Sequence, residues 1–351
     1  YGLAWHLAGY TLADVNEQWD WGADWDYNMS TGHAPPAGML LAARYASALL
    51  LAGSVIVYFV LCRMIGGRGE AYLASLYYAL HPAILLNGRR AMMESATFLF
   101  GLALLIAGIL FLRRPSWWAA ALLGVVGGFA VAAKHTNLFT VAAVFVVCLL
   151  FPLSRWAARK SDLQPASLVL RLVLAAVLLG VVFYALNPVW WGSNPVGHVD
   201  RILSLRTDLL EGQVNAFGGY AKRLDQLAGF FRQVLIASPV YYEDPRFSAW
   251  IADPVAAYEA SPWRGISIGG SVIGAVILLA LVGNGAWRFA RNPRIQTSVR
   301  WLIGAWALVI VGTTLLLTPL EWQRYYLPVY PVIGLFAASG VVQLVQAIKA
   351  R

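Results

Sequence analysis

Long apolar runs separated by short polar segments make up most of the chain. A helix that crosses a bilayer needs about 20 mostly apolar residues, and it satisfies its own backbone hydrogen bonds, which lipid cannot do. The pattern therefore predicts an all-α integral membrane protein, a polytopic bundle of about nine transmembrane helices. These lie roughly at residues 38–62, 70–87, 92–112, 117–133, 137–153, 167–187, 266–288, 299–319 and 325–347.

Two longer polar regions divide the chain into four parts. An acidic and aromatic loop at 1–37 precedes a first bundle of six spans at 38–187. A large loop at 188–265 separates that bundle from three last spans at 266–351. Because short connectors leave little room for a binding site, we expect function on the side of the membrane that carries the two long loops.

Proline and glycine mark special positions within the spans. Pro82, Pro328 and Pro331 predict kinks or breaks, since membrane helices tolerate proline where neighbouring groups satisfy the freed carbonyls. Several glycines are expected to allow close helix packing. They are Gly124, Gly127, Gly128, Gly269, Gly270 and Gly274.

Charge orients the bundle. If the segment 1–37 lies on one side, most arginines and lysines fall in short connectors on the other side. All acids except Glu70 and Asp162 then fall on the first side. The positive-inside rule makes the basic side cytoplasmic. The long loops are therefore predicted to be extracytoplasmic, in a plasma membrane of the bacterial inner-membrane type. An extracytoplasmic start at Tyr1 without a signal peptide also predicts at least one more helix upstream.

Composition supports a lipid environment. Hydrophobic residues make up 60% of the 351 positions and charged residues 12%, against about 25% charged in a typical soluble domain. The net charge of +9 does not indicate nucleic-acid binding, because the basic residues lie in short connectors between spans. Cys62 and Cys148 lie inside apolar runs and are predicted to be small core residues.

The opening loop combines carboxylates with aromatic rings, a mixture that suits sugar binding because rings pack on sugar faces and carboxylates accept hydroxyl bonds. An aromatic belt with solvated acids at the membrane interface explains the same pattern equally well. The acids are Asp14, Glu17, Asp20, Asp24 and Asp26.

A second group lies at the start of the third predicted span. Glu94 sits at the membrane boundary, where a carboxylate needs a partner. Arg90 is four residues earlier and would share a helix face with Glu94 if the helix starts early enough. A structural ion pair is one interpretation. The other is a site for an anionic group, since Arg89 and Arg90 suit a phosphate.

Two further groups are predicted on the same side. Lys134 and His135 interrupt two spans, either as a simple turn or as part of a cationic cluster with Arg89, Arg90 and Arg324. Charged and aromatic residues from Glu321 to Pro331 begin the last span, as an anchor and kink or as part of a site. The histidines are scattered, so spacing assigns no metal ligands.

Four segments resemble, in the same order, motifs of a known family. They are GHAPPAG, HPAILLNGRRAMMESATFLF, GGFAVAAKHTNLF and QRYYLPVYP. With the acidic loop, they resemble the polyprenol-phosphate-dependent glycosyltransferases of the GT-C superfamily. The subgroup is similar to the dolichyl-phosphate-mannose protein mannosyltransferase family (family 39) and bacterial relatives such as lipid A aminoarabinose transferases.

The resemblance implies an inverting glycosyltransferase. It would move a sugar from a polyprenyl-phosphate donor to a protein, lipid or glycan acceptor on the extracytoplasmic face. A carboxylate would deprotonate the acceptor, and cations would stabilise the departing phosphate. Glu94 matches one carboxylate of the family. The family's acidic pair lies either upstream of Tyr1 or, at a different spacing, at Asp14 and Glu17.

The remaining roles combine the residue patterns described above with the same resemblance. The donor phosphate is assigned to Arg89, Arg90, Lys134, Arg324 and Tyr325. Substrate binding is assigned to Asp24, Asp26, His33 and Trp190. Polyprenyl-phosphate sugar is the donor, membrane lipids and further membrane subunits are the other partners, and use of a divalent metal is left open. Two alternatives are a non-catalytic GT-C subunit of a larger complex and a transporter of a lipid-linked or anionic solute.

Overall fold

The computed structural model describes residues 2–11, 13–14, 25–33, 36–160, 164–191, 195–236, 238–242, 248–249 and 251–350. Within these ranges the chain forms helices and turns and no β-strand. Two short helices, α1 (Gly2–Leu7) and α2 (Trp25–Ser30), precede the bundle. The first bundle contains α3 (Ala37–Ile65), α4 (Arg68–Leu80), α5 (Pro82–Gly88), α6 (Glu94–Arg113), α7 (Trp117–Ala133), α8 (Asn137–Ala157) and α9 (Pro165–Leu186).

The region predicted as one large loop is itself partly helical. It contains a 3₁₀ turn at Pro188–Trp190, α10 (Pro195–Phe217), α11 (Arg223–Phe231), a π turn at Arg232–Ile236, α12 (Ala252–Glu259) and a 3₁₀ turn at Pro262–Arg264. The last bundle contains α13 (Val272–Arg291), α14 (Thr297–Leu317) and α15 (Val329–Lys349), with a 3₁₀ turn at Gln323–Tyr325 before α15.

Among the described residues, seven helices are long and apolar enough to cross a membrane: α3, α6, α8, α9, α13, α14 and α15. Each coincides with a predicted span. The apolar helix α7 fills the predicted span 117–133 with 17 residues. The predicted span 70–87 is not one helix, because the chain breaks at His81 and Pro82 begins α5. Nine crossings therefore remain a prediction.

Local sequence sets where the helices begin. The hydroxyl of Ser116 accepts from the Ala119 amide at 3.2 Å, and the hydroxyl of Ser271 accepts from the Gly274 amide at 3.1 Å. These serine caps satisfy amides that have no partner within the first helical turn. Pro82 occupies the first position of α5, where a missing amide hydrogen does no harm. Pro328 likewise ends the preceding turn just before α15.

Hydrogen bonds between connectors define one end of the bundle, called here the basic end. Arg113 donates to the Met64 carbonyl at 3.2 Å, and Arg300 donates to the Ala290 carbonyl at 2.8 Å. Arg171 donates to the Pro115 carbonyl. The arginines thus satisfy carbonyls that helix ends leave exposed.

The opposite end, called here the loop end, carries the region between α9 and α13. Gln226 donates to the Thr318 carbonyl at 2.9 Å. The Tyr220 amide bonds to the Pro319 carbonyl at 3.2 Å, and the Ile266 amide bonds to the Leu80 carbonyl at 2.8 Å. These bonds fasten the helical loop region to the ends of α4 and α14. The two ends therefore differ in what holds them: arginines bond the connectors at the basic end, and the helical loop region is bonded to the other end.

Small residues allow one close helix contact, between α7 and α9. Gly124 packs on the Ala175 carbonyl, and a Cβ at Gly128 would lie 2.6 Å from Val182 Cβ, so α7 and α9 touch along their backbones. The expectation was wrong for Gly269 and Gly270, which form a turn at φ +106° and +62°. Cys62 and Cys148 are free and buried, as predicted for small core residues.

Candidate functional site

An irregular segment between α5 and α6 forms the centre of the loop end. Helix α5 ends at Gly88, where an added Cβ would lie 2.9 Å from Leu51 Cδ1. This contact brings α5 against the middle of α3. Since the α-helix rises about 1.5 Å per residue, the part of α3 between Ala37 and Leu51 extends roughly 20 Å beyond Gly88.

Glu94 begins α6 and is 4% exposed. Its Oε1 accepts from Lys134 Nζ at 2.8 Å. Its Oε2 is buried without a hydrogen-bond partner among the described residues. The Arg90–Glu94 pairing considered above does not form, because α6 starts only at Glu94 and Arg90 lies before it. A carboxylate with one charged partner and one available oxygen can accept a proton.

Arg89 is held in an aromatic clamp. Its Nη2 donates to the Tyr258 hydroxyl at 2.7 Å and to the Trp263 carbonyl at 3.0 Å. Its guanidinium carbon lies 5.5 Å and 5.6 Å from the centres of those two rings. Its Nε donates to the Leu85 carbonyl at 2.7 Å. Nη1 has no hydrogen-bond partner in the described parts of the chain, so the fixed fork keeps donors for an anion.

Arg90 belongs to a network that crosses the loop end. Its Nη2 donates to the Tyr241 carbonyl at 2.8 Å, and its Nη1 donates to Asn87 Oδ1 at 3.3 Å. Asn87 in turn donates to Gln323 Oε1 at 3.5 Å. The buried Gln323 also accepts from the Val240 amide at 3.2 Å and donates to the Ser238 carbonyl at 2.8 Å. The network joins α5, the 238–242 loop and the turn before α15.

Arg324 and Tyr325 form a second aromatic and cationic group in that turn. The Arg324 guanidinium lies 4.5 Å from the Trp322 ring centre and 5.4 Å from the Tyr325 ring centre. The Trp322 and Tyr325 rings stack at 5.7 Å. Gln323, one residue before Arg324, ties this group to Asn87. The structure thus brings the predicted phosphate residues to one end of the bundle, although Lys134 bonds to Glu94.

Trp190 lies in a short row of rings that leads to Lys134. Its ring centre is 5.5 Å from that of Phe183, and Phe183 is 5.8 Å from His135. The indole nitrogen of Trp190 is buried without a hydrogen-bond partner in the described structure. Burial, and then the charge of Arg206, lowers the pKa of His135. Neutral His135 therefore adds no cationic charge beside Lys134.

The acidic loop is described only in part. The Asp14 carboxylate accepts from the Thr11 amide and the Thr11 hydroxyl, and these bonds lower the pKa of Asp14. A lowered pKa makes a carboxylate a weaker general base. Within the described ranges, no contact joins Asp14 to Glu94. Glu17, Asp24 and the side chain of Asp26 lie outside the described residues.

His33 lies just before α3. Its Nδ1 is buried without a partner among the residues described, and its ring centre is 6.1 Å from that of Tyr27. Helix α1 approaches the same end of α3, where Trp5 Nε1 donates to the Met39 carbonyl at 3.1 Å. His33 is therefore held beside the extension of α3, and no contact in the described structure joins it to Glu94.

Several residues of the site were not predicted. Tyr241 donates to Glu259, and Glu259 pairs with Arg264. Burial, and then the bond to Glu259, raises the pKa of Tyr241. The signal in the sequence was the number of aromatic and charged residues in the long loop, but the sequence did not show which residues they contact. Contacts with residues distant in the chain also explain why four further residues were missed: Asn87, Gln323, Tyr258 and Trp263. In the described parts of the chain, no three His, Cys, Asp or Glu side chains are grouped to hold a metal ion.

Fold and site together define a polytopic membrane protein with a charged, aromatic site at one end of its bundle. The sequence model of the dolichyl-phosphate-mannose-protein mannosyltransferase family matches residues 8–188, just over half of the chain. The chain therefore belongs to that family, and the resemblance inferred from the motifs is confirmed. A comparison with curated proteins gave no match.

Two solved structures of the Archaeoglobus fulgidus oligosaccharyltransferase are similar to the chain. The alignment with the apo structure has a TM-score of 0.48 and 13% sequence identity. It covers 89% of this chain and 41% of the oligosaccharyltransferase chain. The complex with an inhibitory peptide and a dolichol-phosphate gives a TM-score of 0.45 at 13% identity, with 92% and 42% covered. The chain thus spans about two fifths of the length of those proteins.

Proposed function

We propose that the protein is a membrane glycosyltransferase that moves a sugar from a polyprenyl-phosphate donor to a protein, lipid or glycan acceptor on the extracytoplasmic face. Membership of the mannosyltransferase family supports the reaction class. The observation that carries the proposal to this chain's residues is the buried Glu94, with one oxygen on Lys134 and the other available.

The proposed reaction is a single displacement. The acceptor hydroxyl gives its proton to the available Oε2 of Glu94, and the acceptor oxygen bonds to the anomeric carbon of the sugar. The bond from that carbon to the phosphate oxygen breaks, and its electron pair stays on the polyprenyl phosphate. Attack opposite the leaving group inverts the anomeric centre. General-base catalysis of this kind contributes about 10²–10⁴-fold.

Lys134 has a role in the proposal that differs from direct phosphate binding. Its ammonium lies 2.8 Å from Glu94 Oε1 and is 21% exposed. The ion pair fixes the position of the carboxylate. Lys134 therefore orients the base, while the departing phosphate is left to the arginines.

The phosphate is proposed to lie between the Arg89 clamp and the turn that carries Arg324 and Tyr325. Arg89 is fixed by Tyr258 and Trp263, so no large rearrangement is needed before it meets an anion. Arg90 is anchored by Asn87 and Tyr241 at the same level. Preorganised donors of this type stabilise charge that grows in a transition state.

Trp190 and the acidic loop are proposed to select the acceptor and the sugar. Trp190 begins the row of rings that ends at His135, the residue after Lys134 in the chain. His33 carries a buried ring nitrogen available for a hydroxyl. Asp14, Glu17, Asp24 and Asp26 stay assigned to catalysis and sugar binding by prediction alone. The lowered pKa of Asp14 makes that carboxylate a weaker general base.

The proposal is tested by sugar transfer from labelled polyprenyl-phosphate sugars, with the full natural chain in membranes. We expect Glu94→Gln to cut transfer by about a hundredfold or more, which is about 2.7 kcal/mol. The matched control is Glu70→Gln, which makes the same chemical change at the basic end and should leave transfer within about twofold. No transfer from any donor by the folded protein would contradict the proposal and favour a non-catalytic subunit.

A further inference from the structure

A second concave site lies at the basic end, away from Glu94. An open pocket of about 460 Å³ is bounded by the end of α13, the connector to α14 and the end of α15. Its lining includes Trp287, Arg288, Arg291, Arg294 and Gln346. A Cβ added at Gly69, near the start of α4, would lie 3.3 Å from Val342 of α15, which confirms that this pocket faces the basic end. The volume is in the range of small-molecule sites.

The pocket arginines differ from three other arginines at this end, which cap helix ends. Arg63, Arg113 and Arg300 each donate to a backbone carbonyl near a helix end. The guanidinium groups of Arg288, Arg291 and Arg294 donate no hydrogen bond to any described residue. Helix capping therefore does not explain these three arginines. A topology signal explains their positive charge, but it does not require a pocket around them.

Exposed tryptophans lie at the same end of the bundle as the pocket. Trp287 is 57% exposed and Trp301 is 63% exposed, and exposed tryptophans favour the headgroup region. The Arg291 guanidinium lies 3.6 Å from the centre of the Trp287 ring. This contact holds the arginine beside a side chain that favours the region of lipid headgroups. None of the residues that line the pocket is acidic.

We propose that this pocket binds the phosphate headgroup of an anionic phospholipid from the surrounding leaflet. Three guanidinium groups without hydrogen-bond partners among the described residues suit a phosphate diester, because arginine binds phosphate oxygens through paired donors. Basic pockets between membrane helices bind such headgroups. A free phosphate ion offers the same chemistry, but the interfacial tryptophans favour the lipid as its source.

The test uses the full chain in nanodiscs of equal parts phosphatidylglycerol and phosphatidylcholine, followed by mass spectrometry of the lipids that stay bound. Wild type should retain phosphatidylglycerol in preference to phosphatidylcholine. Arg288→Gln, Arg291→Gln and Arg294→Gln should each lower that preference by about fivefold. Because all three side chains are exposed, we expect these variants to fold, and thermal unfolding checks this.

The matched control combines Arg68→Gln, Arg114→Gln and Lys160→Gln, which removes the same charge from exposed positions outside the pocket. The control should keep the preference that the combined Arg288, Arg291 and Arg294 variant loses. An equal loss in both combinations, or no preference in wild type, would overturn the proposal. At the bilayer surface, lipid phosphate diesters outnumber inorganic phosphate added at about 10 mM. If the added ion still displaces the bound lipid, the pocket prefers free phosphate, and the lipid assignment is wrong.

Discussion

Glu94 and Lys134 are 40 positions apart in the chain, yet their side chains meet at 2.8 Å. The pair joins the first residue of α6 to the residue that directly follows α7. A carboxylate at a helix N-terminus and a cation just past a helix C-terminus each complement the helix dipole. The ion pair therefore stabilises the loop end as well as preparing the proposed base.

Breaking the ion pair from one side should destabilise the protein more than replacing both partners. Lys134→Met leaves the charge of Glu94, which is 4% exposed, without a partner. We expect a loss of about 3 kcal/mol in the free energy of unfolding, the low end of the range for buried pairs, because Lys134 is 21% exposed. The double variant Glu94→Gln with Lys134→Met should recover at least half of that loss.

Thermal unfolding of the three variants in detergent measures this coupling. A double variant whose loss equals the sum of the two single losses would show that the side chains do not interact. That result would also remove the proposed orienting role of Lys134, even if Glu94→Gln abolishes sugar transfer.

The sequence indicated Glu94 because a carboxylate at the edge of an apolar run needs a partner. The partner itself was not predictable from local spacing. The four-residue distance to Arg90 would matter only within one helix, and the helix starts at Glu94. Lys134 becomes the partner because α7 and α6 are neighbouring helices that meet at their loop ends, a tertiary relationship that no short segment encodes.

Gln323 is the centre of a buried network, and its loss should loosen the 238–242 loop. Gln323→Leu leaves the Val240 amide and the Ser238 carbonyl without their partner. These groups are only partly buried, so each lost hydrogen bond costs about 0.5–1.5 kcal/mol. Hydrogen exchange at the Val240 amide should accelerate by about tenfold, because the loss of both bonds lowers the local opening free energy by about 1.4 kcal/mol.

Gln164→Leu is the matched control for that variant. Gln164 precedes α9 and makes no side-chain cap bond, so its replacement should leave exchange at Val240 unchanged. Equal exchange at Val240 in wild type and Gln323→Leu would show that the loop is held by other contacts.

The contact between α13 and α15 depends on glycine. A Cβ at Gly285 would overlap the Phe336 carbonyl, whereas a Cβ at Gly283 would meet open space. Gly285→Ala should therefore destabilise the protein by about 1–3 kcal/mol through overpacking. Gly283→Ala, on the same helix, should be neutral or stabilise by up to about 1 kcal/mol. Thermal unfolding of the two variants provides the comparison, and equal midpoints would rule out the close contact.

Apolar length predicted the long helices well, because lipid requires each span to satisfy its own backbone. It was less successful between residues 70 and 87, where the apolar run continues through His81 and Pro82 but the helix does not. The break creates the short α5 and the irregular segment that carries Arg89 and Arg90. Hydrophobicity does not report such a break, and proline alone predicts either a kink or a new helix.

His135 should make the stability of the loop end depend on pH. Burial and the nearby Arg206 lower its pKa in the folded protein, relative to an ordinary value of about 6.5. Below a pH of about 6.5, the unfolded chain binds more protons at His135 than the folded protein does. Stability is therefore lost as pH falls below about 6.5 and continues to fall until the folded-state pKa is passed. At pH 7 and above, the effect disappears because His135 is neutral in both states.

Thermal unfolding at pH 7 and pH 5 measures this effect in wild type, His135→Gln and Arg206→Gln. We expect the unfolding midpoint of His135→Gln to fall less between the two pH values than that of wild type. Arg206→Gln should give an intermediate fall, because burial, the larger cause of the lowered pKa, remains when the charge is removed. An identical fall in all three proteins would mean that His135 does not titrate differently on unfolding, and that the acid sensitivity arises from other groups.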